Sequence, residues 1–419
     1  MMVKMRVLPE QAVKMKVGTE LIEFHEEIDN LITKSTVNFK NDRISEIANN
    51  IFCFNHNLVS VDAPNLKVIG TQVFKGCDAL TTVNVPKCNI VKDEGFMNAT
   101  ALTNLELPAE NVKVGNSSFE GCTRLEELKA PNMESVGLFA FKGCTSLKNV
   151  NYPKAKVGTG AFHSCNLDTV VLSGNFGGVE SLTEPTGPDD GQRIFYKGTV
   201  KSFTLAETTS LNLGSFDGFN GAELVSLEAP NLKDLNGTNL SKWIGNGSST
   251  QFPKLEKVNL PSLTSDNKAT GGACFRGYQS LKNANLGECK LSFESFYDCT
   301  ELRKVFTRSN IIPAACFYNC NKLRRFNIEQ DGWFDLDDYS ESLGALNIER
   351  IEGHAFFNCL GLKVVVLNHN LKYIEQNAFG NCINLKDVVF YGKQEDWNNI
   401  TIESGNEYLL NARRVIRGR

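Results

Sequence analysis

The stretch VGLFAFKGCTSLKNVNYP, residues 136–153, decides the fold. It sets Val136, Phe141, Cys144, Leu147, Val150 and Pro153 at fixed intervals, and the same order returns at Val114, Phe119, Cys122, Leu125, Leu128 and Pro131. It returns again at Ile69, Phe74, Cys77, Leu80, Val83 and Pro86. The phenylalanines mark the period. Phe52, Phe74, Phe96, Phe119, Phe141 and Phe162 are separated by 22, 22, 23, 22 and 21 residues. Phe275, Phe296 and Phe317 follow at steps of 21 and 21, and Phe356 and Phe379 are 23 apart. Self-similarity at such a period belongs to a solenoid, in which each coil buries its apolar face only against its neighbours.

Each repeat has two halves. The half after the cysteine, such as Leu80-Thr81-Thr82-Val83-Asn84-Val85-Pro86, reads as a short strand. Leu80, Val83 and Val85 face inward, while the period of two turns Thr82 and Asn84 outward. Proline then ends the strand because it has no N–H for the ladder. The half before the cysteine, such as Val136 to Gly143, returns the chain and plugs the core from the other side with Val136 and Phe141. Gly76, Gly121 and Gly143 stand where a tight turn needs a permissive backbone.

The 13 cysteines follow the repeat rather than a disulfide framework. Cys77, Cys122, Cys144, Cys165, Cys299, Cys320, Cys359 and Cys382 all lie three residues after the anchor Phe, a slot that Ala99 and Asn55 fill elsewhere. Cys274 and Cys316 precede Phe where other repeats have Ala140, Ala161 or Ala355. Both slots take small residues, so these cysteines are expected to be buried thiols. The formal net charge of −4, from 44 basic and 48 acidic side chains, gives no basic footprint for nucleic acid. No apolar run reaches the length of a membrane span, so membrane insertion is not expected. The opening MMVKMRVLPEQAVKMKVG has no continuous apolar stretch, so no secretory signal peptide is expected unless one was removed.

The pattern resembles the BspA-like, or treponemal-type, leucine-rich repeats. The family form L-x-x-L-x-L-P-x-x-[IV]-x-x-x-A-F-x-x-C-x-x-L is met by Ala161-Phe162 with Cys165, Ala355-Phe356 with Cys359 and Ala378-Phe379 with Cys382. The run from Phe390 to Trp397, then Ile402 and Gly405-Asn406-Glu407, resembles the closing segment that such proteins often carry. The resemblance implies a leucine-rich-repeat horseshoe or rod. Short parallel strands would line its concave face, and irregular turns or short helices its convex face.

Residues 1–40 lie outside the repeat. Leu21, Ile22, Phe24, Ile28, Leu31 and Ile32 fall near helical spacing, so a short amphipathic helix is expected there, as a cap or an assembly anchor. Residues 41–412 read as one continuous solenoid with insertions at 174–212, 232–252 and 329–350, and 413–419 as a basic C-terminal tail. Insertions in repeat proteins map to one face, often the binding face.

No constellation announces chemistry, so no catalytic residue, cofactor or metal site is expected. None of the five histidines lies in a zinc-binding spacing. His163 with Cys165 and His354 with Cys359 look like thiol–imidazole pairs, but both cysteines occupy the core slot. The acidic run from Asp331 to Glu341 lacks the glycine and register of a calcium loop.

The outward strand positions form columns. The early ones are polar: Thr82 and Asn84, Asn104 and Glu106, Glu127 and Lys129, Asn149 and Asn151. The last third turns apolar at Phe306, Val364, Val366 and Val389, with Arg325 among them, and the third insertion adds Trp333, Phe334 and Tyr339. Contiguous exposed apolar residues mark partner sites, so these eight residues are the expected partner-binding site. The family's members are typically surface or secreted adhesins. That resemblance, with the absence of an export signal, implies a non-enzymatic attachment module binding a protein or a surface glycan. A bacteriophage tail or fibre-associated virion protein is the first setting, with other virion proteins or a second copy as further partners. A secreted or cell-surface bacterial adhesin is the second reading, and the substrate-binding repeats of an enzyme complex the third.

Overall fold

The computed structural model describes residues 14–17, 20–23, 37–173, 195, 197–209, 223–233, 252–264, 272–326 and 347–418. Two compact units emerge: Met1–Val200 with Gly214–Asn220, and Lys201–Leu213 with Gly221–Arg419.

In the first unit, β1 (Lys14–Val17) and β2 (Glu20–Glu23) form an antiparallel pair. Each later coil gives one strand to a strand face and one strand to a return-side sheet. On the strand face lie β3 (Val37–Lys40), β5 (Leu58–Asp62), β7 (Thr82–Asn84), β9 (Asn104–Glu106), β11 (Glu127–Lys129), β13 (Asn149–Tyr152) and β15 (Asn166–Leu172). This face is divided into the parallel sheets β3–β5–β7, β9–β11 and one that begins at β13. On the return side lie β4 (Glu46–Ile47), β6 (Val68–Ile69), β8 (Ile90–Val91), β10 (Val112–Val114), β12 (Met133–Val136) and β14 (Lys156–Val157). The return half is therefore not only turns, as expected, but a further parallel sheet. β1 extends that sheet by pairing antiparallel with β4, which covers its first edge.

The second unit repeats the plan. Its strand face holds β16 (Thr199–Leu205), β17 (Ser226–Glu228), β18 (Lys257–Asn259), β19 (Asn283–Asn285), β20 (Lys304–Phe306), β22 (Arg325–Phe326), β24 (Val364–Asn368), β26 (Asp387–Tyr391) and β28 (Arg413–Arg417). Its return side holds β21 (Ile311–Ile312), β23 (Arg350–Ile351), β25 (Tyr373–Ile374) and β27 (Thr401–Ile402). Two short helices, α1 (Gln394–Asn398) and α2 (Glu407–Asn411), close the last coils.

Two expectations are corrected. Leu21 and Ile22 belong to β2, not to a helix; the rest of that segment, 24–36, lies outside the described residues. The basic tail is the last strand: β28 pairs in parallel with β26 over Asp387↔Arg413 to Tyr391↔Arg417. Exposed Arg413, Arg414 and Arg417 around half-buried Val415 and Ile416 suit an edge position, where charged residues face water.

A phenylalanine spine holds each unit. In the first, Phe52, Phe74, Phe96, Phe119, Phe141 and Phe162 stack with centroids 5.0–5.7 Å apart, extended by Phe39 and Phe195. In the second, Phe275, Phe296, Phe317, Phe356 and Phe379 stack at 5.0–5.3 Å. Phe317 and Phe356 touch although 39 positions apart, so the third insertion leaves the spine unbroken.

The slot cysteines add a second ladder. Each thiol donates to the carbonyl of the preceding coil's anchor Phe: Cys77 to Phe52, Cys122 to Phe96, Cys144 to Phe119 and Cys165 to Phe141, at 3.0–3.1 Å. Cys299, Cys320, Cys359 and Cys382 do the same to Phe275, Phe296, Phe317 and Phe356, at 2.9–3.1 Å. Cysteine is thus more than a small hydrophobe here, because its weak S–H donor serves a buried carbonyl. All 13 cysteines are free.

The turn around each Phe holds two left-handed residues. One is two positions after it, as at Gly121 (φ 75°), where a Cβ would collide with Asn98 Oδ1. The other is two positions before it and is mostly not glycine: Gln72 (57°), Glu94 (56°), Phe139 (53°). That conformation costs about 1 kcal/mol or more per residue. It is offset because each of these amides bonds the next coil: Gln72 to Asp93 O at 3.0 Å, Glu94 to Asn116 O at 2.8 Å, Phe139 to Thr159 O at 3.0 Å.

Candidate functional site

Two residues of the expected apolar patch are buried. Val366 and Val389 are 2% and 1% exposed. The parallel register stands Val389 between Val366 and Val415, so these β-branched side chains flank one another. Asp387, also buried, is held by Arg413 Nε at 2.6 Å. Val364 and Phe306 are half-buried, and the Arg308 guanidinium lies 5.8 Å from the Phe306 ring. Arg325 sits in β22 between Lys304 and Val364. Trp333, Phe334 and Tyr339 lie outside the described residues.

The polar columns of the first unit are open. Thr82, Asn84, Asn104, Glu106, Glu127, Lys129, Asn149 and Asn151 are all exposed. Between β7 and β9 the ladder itself opens. In regular coil pairs one amide enters the strand and another leaves it, each bonding across. Between β5 and β7 these are Thr81 N–H to Val59 O and Ala63 N–H to Asn84 O, both 2.9 Å. Between β9 and β11 they are Glu126 N–H to Thr103 O and Leu107 N–H to Lys129 O, both 2.8 Å. The equivalents between β7 and β9 would be Thr103 N–H to Thr81 O and Val85 N–H to Glu106 O. Among the described residues neither bond forms, and the two strands belong to separate sheets.

The same two coils are tight on the return side. Gln72, Phe74 and Gly76 donate to Asp93, Gly95 and Met97 at 3.0, 2.7 and 2.7 Å, and the Phe74 and Phe96 rings lie 5.0 Å apart. The coils therefore part at one edge only. The result is an open cleft of about 340 Å³. Val83, Val85 and Leu105 line it, with Thr82, Asn84, Asn104 and Glu106, and Pro86 and Pro108 complete the lining. Val83 is half-buried, whereas its equivalents Val61, Leu105 and Leu128 are 1–3% exposed. The coil of β9 has Ala99 in the cysteine slot, so Phe74 O lacks the thiol donor that Phe52 O and Phe96 O have, but this does not mark the opening: β11 and β13 also belong to separate sheets although Cys144 keeps its bond to Phe119 O.

Charges beside the cleft are paired. Asp62 takes Lys40 at 3.1 Å and Asn84 Nδ2 at 2.8 Å, and these bonds hold its carboxyl below the usual range. Lys129 reaches Glu106 at 3.0 Å, and that carboxylate raises its ammonium's pKa.

The two suspected thiol–imidazole pairs are not nucleophile and base. Cys165 donates to Phe141 O, and burial pushes its pKa up to about 12; His163 Nδ1 instead bonds Ser164 Oγ at 2.8 Å. Cys359 donates to Phe317 O, while His354 rests 5.4 Å from the Phe357 ring. No cluster of three or more metal-ligating side chains occurs among the described residues, and no described helix is long and apolar enough to cross a membrane.

No curated protein matches the chain. Among solved structures it is similar to a leucine rich cell surface protein from Faecalibacterium prausnitzii, with 17% identity and a TM-score of 0.33, covering 94% of this chain and 90% of that one. A leucine-rich repeat protein from Bacteroides ovatus gives 17%, 0.35, 94% and 98%. The pneumococcal vaccine antigen PcpA gives 16%, 0.29, 97% and 87%. A family model described as a BspA type leucine rich repeat region matches six copies over residues 45–168, 191–324 and 341–405. Those segments span well over half of the chain and coincide with the stacked Phe and Cys ladders, so it belongs to the BspA-type leucine-rich-repeat family.

Proposed function

We propose that this chain is a non-enzymatic attachment protein that offers its outward strand columns to a protein or glycan partner. The observation that carries this reading is the exposed polar face from Thr82 to Asn151, mounted on a backbone fixed by the Phe and Cys ladders. A rigid, preorganised surface loses little conformational freedom on binding. The finer setting we propose is a bacteriophage tail or fibre, with a secreted or cell-surface adhesin as its rival; immunogold on purified virions and on intact cells separates them. A second placement of the contact, at Phe306, Arg325 and Val364 with Trp333, Phe334 and Tyr339, is favoured by the half-exposed Phe306 ring.

The test uses the whole labelled chain and a panel of intact bacterial cells. Thr82→Arg with Asn104→Arg should abolish binding, and Phe306→Ser with Val364→Thr should leave it unchanged. The reverse result moves the contact to the second placement. Cell binding that survives both double variants removes the strand face from the account.

A further inference from the structure

We propose that the cleft between β7 and β9 is a binding site for a neutral, hydroxyl-rich ligand, a saccharide. The inference rests on the attachment reading and names the class of group that reading would recognise.

Three observations lead there. First, the cleft holds backbone groups that the coil pairs on either side, β5–β7 and β9–β11, satisfy directly: the Val85 and Thr103 amides as donors, the Thr81 and Glu106 carbonyls as acceptors. Backbone polar groups are rarely left without a partner, so water or a ligand must serve them. A hydroxyl both donates and accepts. It can bridge an N–H on one strand to a C=O on the other, as water does. The side chains repeat this mixture, with a hydroxyl at Thr82 and amides at Asn84 and Asn104.

Second, the charges flanking the cleft are already paired, Asp62 with Lys40 and Glu106 with Lys129. A charged ligand would have to break one of these pairs, and a neutral one would not. Third, the cleft is too narrow for a peptide strand. Adding a strand between β7 and β9 would double their spacing to about 9.6 Å. The return-side bonds at 2.7–3.0 Å and the stacked Phe74 and Phe96 rings hold the coils at single spacing. Val83 and Leu105 supply an apolar surface for the carbon face of a sugar ring.

The experiment places the whole chain on an array of neutral oligosaccharides, sialylated and sulfated glycans, and extended peptides. The best neutral oligosaccharide is then titrated calorimetrically against Thr82→Leu, Asn104→Leu and, as control, Thr401→Leu, an exposed residue of the return-side strand β27. We expect a neutral saccharide to bind. Thr82→Leu and Asn104→Leu should each weaken it tenfold or more, and Thr401→Leu by less than twofold. Thermal melts confirm that each variant is folded; if Asn104→Leu is not, Thr82→Leu carries the comparison. Binding confined to charged glycans or to peptides overturns the proposal. So does no neutral binding at millimolar ligand, or equal loss in Thr401→Leu. If the chain binds cells but no neutral saccharide, this inference falls and the attachment reading stands; if it binds neither, both fall.

Discussion

Glu106 and Val389 occupy the same outward position of the repeat, yet one is in water and the other is 1% exposed. Around Glu106 the columns are polar, and the strands part at β7 and β9 and again at β11 and β13. Around Val389 the strands pair without a break from β24 through β26 to β28, and Val366 and Val415 flank the side chain. The difference shows that the direction of a side chain and its exposure are separate facts. A period of two fixes which side of a strand a residue takes. Whether its neighbours close over that side depends on register and on what they are.

What the two regions share should fail in both together. Burial pushes Cys122 and Cys382, one in each unit, up to about 12, against about 8.5 for an unfolded thiol. The folded-state value is raised, so this stability is fully present below about pH 8.5 and is lost as pH rises toward about 12. Each such thiol takes away about 1.4 kcal/mol per pH unit in that window. Cys77, Cys88, Cys165 and Cys289 share the shift, so the losses sum steeply. Urea melts from pH 7 to 10.5 should show a sharp alkaline decline, made shallower by Cys122→Ala. A flat profile would show that the slot thiols are not buried.

The regions should part under a buried charge. Val389→Asp puts an unpaired carboxylate into the closed column and should cost about 3–5 kcal/mol. Asn151→Asp, in the equivalent open column, should change stability by less than about 0.5 kcal/mol. Equal costs in chemical denaturation would erase the distinction between the two faces.

A smaller effect concerns the thiol ladder where it is interrupted. Ala99→Cys should give Phe74 O the donor that other coils have and stabilise the first unit by up to about 1 kcal/mol. Cys144→Ala should remove a comparable amount by the same measurement. If Ala99→Cys destabilises, the slot there is too small for sulfur and the coil pair is built differently from its neighbours.

Much of this was legible in the sequence. The spacing of Phe52 to Phe162 located the spine, and Ala99 standing among cysteines marked the slot as small and buried. The return-side sheet was not, since segments as short as Ile90–Val91 carry no readable alternation. The left-handed Gln72, Glu94 and Phe139 gave no composition signal, because coil-to-coil bonds, not residue type, offset their strain. In the apolar column Val366 and Val389 are buried where the spacing led to an expectation of exposure, while Val364 is half-buried. The cleft was missed because it consists of hydrogen bonds that do not form.

Amide hydrogen exchange on the whole chain tests the open and closed faces most directly. The account predicts that Val85 and Thr103 exchange through small local openings, while Val365, Val388 and Val389 exchange only with global unfolding of their unit. Protection of Val85 and Thr103 equal to that of Val388 would contradict it, because the ladder between β7 and β9 would then be closed.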